Sequence, residues 1–121
     1  MQSPAVTYNA RIGTWILLEP FYINKSGVII SICSGYETDL ASIPRMFWRV
    51  IAPFELSIAA PLVHDYLYGN GGVAQNQVLT RKETDDLFLT IMEAEGVSWW
   101  RRKLAYRAVR MFAGFAWRDK E

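Results

Sequence analysis

The sequence predicts an α+β fold, with a small N-terminal antiparallel sheet or β-hairpin followed by a bundle of three main helices. β-branched and aromatic residues are concentrated before residue 35, apolar residues take a helical spacing after residue 55, and turn-forming residues separate the segments. A chain of 121 residues that is 51% hydrophobic is long enough for one buried core. We therefore expect a single domain over residues 1–121, divided into a β-hairpin region (1–35), a loop with a short helix (36–55) and a helical region (56–121).

Two segments of the hairpin region have strand composition. Residues 14–18 and 28–32 are rich in β-branched and aromatic side chains, and residues 24–27 (Asn-Lys-Ser-Gly) between them are typical of a hairpin turn. Pro20 predicts an edge strand or a bulge in the first arm. Residues 35–44 fit neither period and predict an ordered loop, and residues 45–51 predict a short helix that Pro53 ends.

Three longer segments have helical spacing. Residues 56–67 are apolar on most sides, which is typical of a buried helix, and the glycine-rich residues 69–72 end it. Thr80 and Glu83 have the spacing of a capping box, and Gly96 ends the helix that they open. Ser98 is a candidate cap for a last helix reaching about Trp117, with an apolar stripe that includes Leu104, Ala108, Met111, Phe112 and Phe115.

The N-terminus and the hydropathy pattern bear on location. The first residues lack the basic start and apolar run of a signal peptide, and the longest apolar runs are far shorter than the ~18 residues that would span a bilayer. The single cysteine, Cys33, excludes an internal disulfide. We therefore expect a soluble protein in the cytoplasm of the cell that makes it.

The only histidine of the chain is the first candidate for chemistry. His64 precedes Asp65 on the predicted buried helix, and one histidine excludes zinc sites that need two or three. Tyr68 lies four residues after His64 and shares its face, whereas Asp65 points about 100° away. A carboxylate that pairs with the imidazole must therefore come from another element. Asp85, one turn into the next helix beside Phe88, is the natural candidate, and the pair would make His64 a stronger base.

Asp65 is then available for a cation. Asp39 is its candidate partner, and the main-chain carbonyl of Leu40 is a third oxygen. Oxygen ligands of this kind suit calcium. The alternative is that His64 and Asp65 only cap or pair inside the core, and residue spacing alone leaves both interpretations open.

The C-terminal end is basic. Residues 99–121 contain seven Lys and Arg residues against two acidic ones, and Trp99 and Trp100 stand directly before Arg101 and Arg102. Aromatic residues beside cations suit a phospholipid or membrane surface, a protein interface, or ordinary packing on the core. We expect no nucleic-acid partner.

Four ordered motifs make the chain similar to a known family: GYETDLASIPR, AAPLVHDYLY, TRKETDDLF and WRRKLAYRAVRMFAGF. They resemble a family of small phage and prophage proteins, domain of unknown function 1353. The resemblance implies a viral or prophage origin, with a location in the host cytoplasm or on the virion. It implies no established activity.

A second resemblance is to the compact bacterial and fungal secreted phospholipases A2. Those enzymes have H-D-x-x-Y on one helix and an Asp three residues before a Phe on another, which His64-Asp65-x-x-Tyr68 and Asp85-x-x-Phe88 match. The resemblance implies that His64 activates a water and that Asp85 orients the imidazole of His64. It also implies that a calcium ion at Asp39, the Leu40 carbonyl and Asp65 polarises an ester carbonyl. The cysteines that flank the motif in those enzymes are absent here.

Two hypotheses follow. The first is a calcium-dependent phospholipid hydrolase, with His64, Asp85 and Tyr68 as its catalytic residues. The second is a non-catalytic virion, assembly or accessory protein of a phage, in which the polar cluster is structural. An open groove at His64 would favour the first hypothesis, and a sealed imidazole would favour the second.

Overall fold

The computed structural model describes residues 4–39 and 59–117. In these ranges strands come first and helices follow, so the α+β prediction is confirmed. The strands are β1 (Val6–Asn9), β2 (Thr14–Leu17), β3 (Phe21–Lys25), β4 (Val28–Ile32) and β5 (Glu37–Thr38). The helices are α1 (Ala59–Gly69), α2 (Arg81–Ala94) and α3 (Trp99–Phe112), with a 3-10 turn at Gly114–Ala116.

The strands form two small antiparallel sheets. In the first, β2 lies between β1 and β5, with Val6 opposite Leu17 and Trp15 opposite Thr38. The second is the hairpin of β3 and β4. Alternate side chains of this hairpin are buried, as expected for a sheet with one face on the core: Phe21, Ile23, Val28, Ile30 and Ile32. They join the buried side chains of the helices in one apolar cluster.

The hairpin turn is where the sequence predicts it, but the predicted first arm is wrong. Ser26 and Gly27 both have positive φ, 54° and 79°, as a two-residue turn of the favoured twist requires. The partner of β4 is β3, whereas residues 14–17 pair with β1 and β5. Pro20 lies between β2 and β3 rather than at an edge or a bulge inside one arm. Proline has no N–H to donate to a ladder, and here it separates two strands.

The predicted loop at residues 36–55 begins with a short strand. Glu37 and Thr38 pair with β2, which brings the following Asp39 close to the sheet. The predicted short helix at residues 45–51 lies outside the described residues, as does Leu40.

Helix α2 begins as predicted. The Thr80 hydroxyl accepts from the Glu83 N–H at 3.1 Å, and the Glu83 carboxylate accepts from the Thr80 N–H at 2.8 Å, which completes the capping box. Gly96, at φ 86°, follows the last turn. The two bonds satisfy N–H groups that a helix start otherwise leaves without partners.

Helix α3 begins at the predicted position but ends earlier than predicted. Ser98 is the N-cap but makes no side-chain capping bond, and the helix ends at Phe112 rather than near Trp117. Residues 114–116 continue as a 3-10 turn. The buried face consists of small or β-branched side chains, Ala105, Ala108 and Val109. Apart from Ala108, the predicted apolar stripe is exposed: Leu104, Met111, Phe112 and Phe115.

Long apolar helices are absent from the part of the chain that the structure describes. None of the helices there has the length and hydropathy needed to cross a membrane.

Candidate functional site

Helix α1 carries three of the predicted site residues. Its side chains are apolar at most positions, and eight of its eleven residues are buried because other elements pack on several sides. His64 and Tyr68 are on the buried side, whereas Asp65 is half-buried. The predicted divergence of His64 and Asp65 around the helix is therefore observed.

The predicted carboxylate partner of His64 is present. Nε2 of His64 lies 2.7 Å from Oδ1 of Asp85, and both side chains are fully buried. The Tyr68 hydroxyl donates to the same oxygen at 2.6 Å. The imidazole also packs on two rings, at centroid distances of 4.2 Å to Tyr68 and 4.6 Å to Phe88. The prediction that His64 and Asp85 lie within hydrogen-bonding distance is confirmed.

Two arginines complete this network, and neither is among the site residues that the sequence predicts. Nη1 of Arg110, on α3, donates to Oδ2 of Asp85 at 2.8 Å. Nε of Arg81 donates to the Tyr68 hydroxyl at 3.0 Å, and its Nη2 donates to the main-chain carbonyls of Val109 and Arg110. The network therefore joins all three described helices.

The network determines the protonation states. Burial lowers the pKa of His64, and its bond to Asp85 opposes that effect only in part. Burial acts to raise the pKa of Asp85, but the hydrogen bonds from His64, Tyr68 and Arg110 outweigh it, and that pKa is lowered. At neutral pH the pair is thus a neutral imidazole beside a carboxylate. Because a carboxylate only accepts, Nε2 donates, and Nδ1 carries the lone pair.

Asp39 and Asp65 line one cavity of about 650 Å³, together with Glu37, Thr38 and Tyr68. The Thr38 hydroxyl donates to Oδ2 of Asp65. All the polar groups named here are oxygens, which fits the ligand chemistry of calcium. The third predicted ligand, Leu40, lies outside the described residues. Within the described ranges, no group of three or more His, Cys, Asp or Glu side chains has a metal-binding arrangement.

His64 does not line this cavity. The residue is 1% exposed, and Tyr68, which packs on the imidazole, belongs to the cavity wall. Phe115 and Ala116 contribute another part of that wall. In the described part of the chain the imidazole is therefore sealed rather than open to a groove, which by the criterion stated above favours the non-catalytic hypothesis.

The predicted surface residues at the start of α3 divide into two groups. Trp99 and Trp100 are exposed, and the Arg101 guanidinium lies 5.2 Å from the Trp100 ring. Arg102 instead turns toward the preceding segment, where it bonds the carbonyl of Val97 and lies 3.5 Å from the Glu93 carboxylate. Trp99 and Trp100 thus form an exposed aromatic surface, with the half-buried Arg101 beside it.

Comparison with known proteins places the chain in a family. Residues 15–109 match the model described as "Protein of unknown function (DUF1353)". The uncharacterized protein y4jT of Sinorhizobium fredii (strain NBRC 101917 / NGR234) is 33% identical over 91 residues, which are 74% of this chain and 25% of that protein. The chain thus spans about a quarter of the length of this relative, and no solved structure gives a significant match. Since the family match covers well over half of the chain, the protein belongs to the DUF1353 family.

Proposed function

We propose that the protein is a calcium-dependent hydrolase of phospholipid esters. The observation that carries the proposal is the bond between Nε2 of His64 and Asp85, behind a cavity whose wall includes Asp39 and Asp65. A neutral imidazole held in one tautomer by a buried carboxylate is the arrangement expected of a general base.

The chain's own residues would perform the proton transfer. Nδ1 of His64 takes a proton from a water, and Asp85 stabilises the imidazolium that results. Tyr68 donates to Asp85, which holds the carboxylate in line with Nε2. Asp39, Asp65 and the Leu40 carbonyl would hold calcium, which when bound polarises the ester carbonyl.

Water must reach the imidazole for this reaction. His64 is 1% exposed and lies behind the ring of Tyr68, so turnover requires the cavity wall to move. Movements of this kind are common in enzymes and often limit the turnover rate. The proposal therefore includes an opening step before the chemistry.

The surface of α3 supports a phospholipid as the substrate. Trp99, Trp100 and Arg101 combine exposed rings with a cation, and the described helix contains no acidic residue. At the other end of α3, exposed Phe115 is in the wall of the cavity that holds Asp65. A membrane bound along this helix would bring ester groups to the cavity, and anionic lipids would bind best.

The test measures fatty-acid release from phosphatidylcholine vesicles and from vesicles that also contain phosphatidylglycerol, with calcium, magnesium or a chelator. We expect release with calcium, faster on the anionic vesicles, and loss of release in His64→Asn because asparagine cannot take the proton. Asp65→Asn should lose the calcium response. Release that continues in chelator would contradict the metal assignment, and no release above the His64→Asn background would contradict the proposal.

The second candidate is a non-catalytic phage structural or assembly protein. The observation that favours it is the burial of His64 together with the three donors that already surround Asp85. A polar network of this kind can fix the packing of helices without any reaction. In that case no lipid is hydrolysed, and His64→Asn changes the stability alone.

A further inference from the structure

We propose that Arg110 is a positioning residue for the His64–Asp85 pair, so that the last helix completes the site. The kinetic part of this inference rests on the proposed hydrolase function, and the spectroscopic part does not. Arg110 lies one residue beyond the segment that matches the family, and its position in the sequence indicates only that it belongs to the basic end.

The carboxylate of Asp85 divides its bonds between its two oxygens. Oδ1 accepts from His64 at 2.7 Å and from Tyr68 at 2.6 Å, while Oδ2 accepts from Arg110 at 2.8 Å. A carboxylate with donors on only one oxygen can turn about its last bond. Arg110 prevents that rotation and keeps Oδ1 directed at the imidazole.

Arg110 is itself held in place. Its main-chain carbonyl accepts from Nη2 of Arg81 at 3.0 Å, and Nε of Arg81 donates to the Tyr68 hydroxyl. Tyr68 in turn donates to Asp85, so the bonds close into a ring that starts and ends at Arg110. Neither guanidinium group can accept a hydrogen bond, and the direction of every donor in the ring is therefore fixed.

Arg110 also balances the charge of Asp85. Its side chain is 33% exposed, whereas that of Asp85 is fully buried. The guanidinium therefore places a positive charge beside Asp85, the buried carboxylate that contacts His64. Without it, the Asp85 carboxylate would lose the donor on Oδ2 and would hold the imidazole in a less fixed geometry.

The spectroscopic test uses the single histidine of the chain, which makes assignment unambiguous. In the 15N-labelled chain of 121 residues at neutral pH, we expect an Nε2–H tautomer with a downfield, slowly exchanging proton. Arg110→Gln should shift this signal and speed its exchange about 10-fold, because a hydrogen bond to a charged group contributes a free energy of that order. Arg107→Gln is the matched control, because it removes the same charge from the exposed side of α3 and should leave the signal unchanged.

Arg110→Lys is the second variant, needed if Arg110→Gln does not fold. Lysine keeps the charge but not the planar fork, so its exchange rate should lie between those of the wild type and of Arg110→Gln. A wild-type imidazole signal in either folded variant, or an equal change in Arg107→Gln, would overturn the inference.

The kinetic test uses the vesicle assay. We expect Arg110→Gln to lower kcat about 10-fold with little change in KM, because the residue acts through Asp85 and does not touch substrate. Loss of binding with kcat unchanged would overturn the positioning role. If the wild-type protein hydrolyses no lipid, the proposed function fails, while the imidazole signal still decides whether Arg110 positions the pair.

Discussion

Replacement of Asp85 by asparagine tests the buried network. The carboxylate is fully buried and accepts from His64, Tyr68 and Arg110. An asparagine side chain presents one acceptor and one NH₂ group, so one of the existing donors must face another donor. Removing one partner of a fully buried ion pair costs about 3–5 kcal/mol. Because Arg110 is 33% exposed and regains some hydration, we expect Asp85→Asn to lower the free energy of unfolding by about 2–4 kcal/mol.

Urea unfolding, followed by the fluorescence of the five tryptophans, measures this loss. Asp86→Asn is the matched control, since it makes the same chemical change one residue further on. The Asp86 side chain is 46% exposed, and its ion partner Lys82 is also exposed, so we expect a loss of about 1 kcal/mol or less. Equal losses in the two variants would refute the view that Asp85 is the centre of the network.

Three further outcomes are expected. Burial lowers the pKa of His64 below its ordinary 6.5, so the unfolded chain binds the proton more readily. The free energy of unfolding should therefore be highest above pH 6.5, and at lower pH it should decrease by up to about 1.4 kcal/mol for each pH unit. Urea unfolding at several pH values measures this slope, and His64→Gln should remove it. Gly72→Ala should cost at least about 2 kcal/mol by thermal unfolding, because φ is 85° and the new Cβ would lie 1.9 Å from the Leu79 carbonyl oxygen. Gly35→Ala, at φ 86° with open space around it, should cost less. Millimolar calcium should raise Tm more than magnesium does, and Asp65→Asn should remove the difference; equal shifts for both ions would argue against the calcium site.

The features that the sequence predicts correctly depend on the spacing of residues that are close in the chain. The Thr80 capping box depends on residues three apart, and the structure contains it. The pairing of His64 with Asp85 follows from a similar argument. A buried imidazole needs a partner, its own helix offers no carboxylate on the same face, and the next helix offers Asp85 one turn from its start.

The strand pairing and the buried face of α3 could not be predicted, because both depend on packing between segments that are distant in the chain. The partner of β4 depends on where Pro20 divides the chain, and the composition of residues 14–18 suits a strand in either sheet. Helix α3 packs through small side chains, so its large apolar residues are left at the surface, which hydrophobic periodicity does not anticipate.

One signal for Arg110 was present in the sequence. Three polar residues of α3 recur at intervals of four and meet carboxylates on α2: Arg102 with Glu93, Tyr106 with Asp86, and Arg110 with Asp85. This row identifies the face of α3 that meets α2. The spacing of Arg102, Tyr106 and Arg110 on α3, together with the carboxylates of α2, therefore indicates Arg110 as a partner of Asp85.

The rate of fatty-acid release from anionic phospholipid vesicles in calcium, compared between the wild type and folded His64→Asn, tests the central claim most directly. A general base typically contributes 10²–10⁴-fold, so we predict a wild-type rate at least ~100-fold above that of the variant. Equal rates in the two proteins would contradict a catalytic role for His64 and leave the buried network as a device that fixes helix packing.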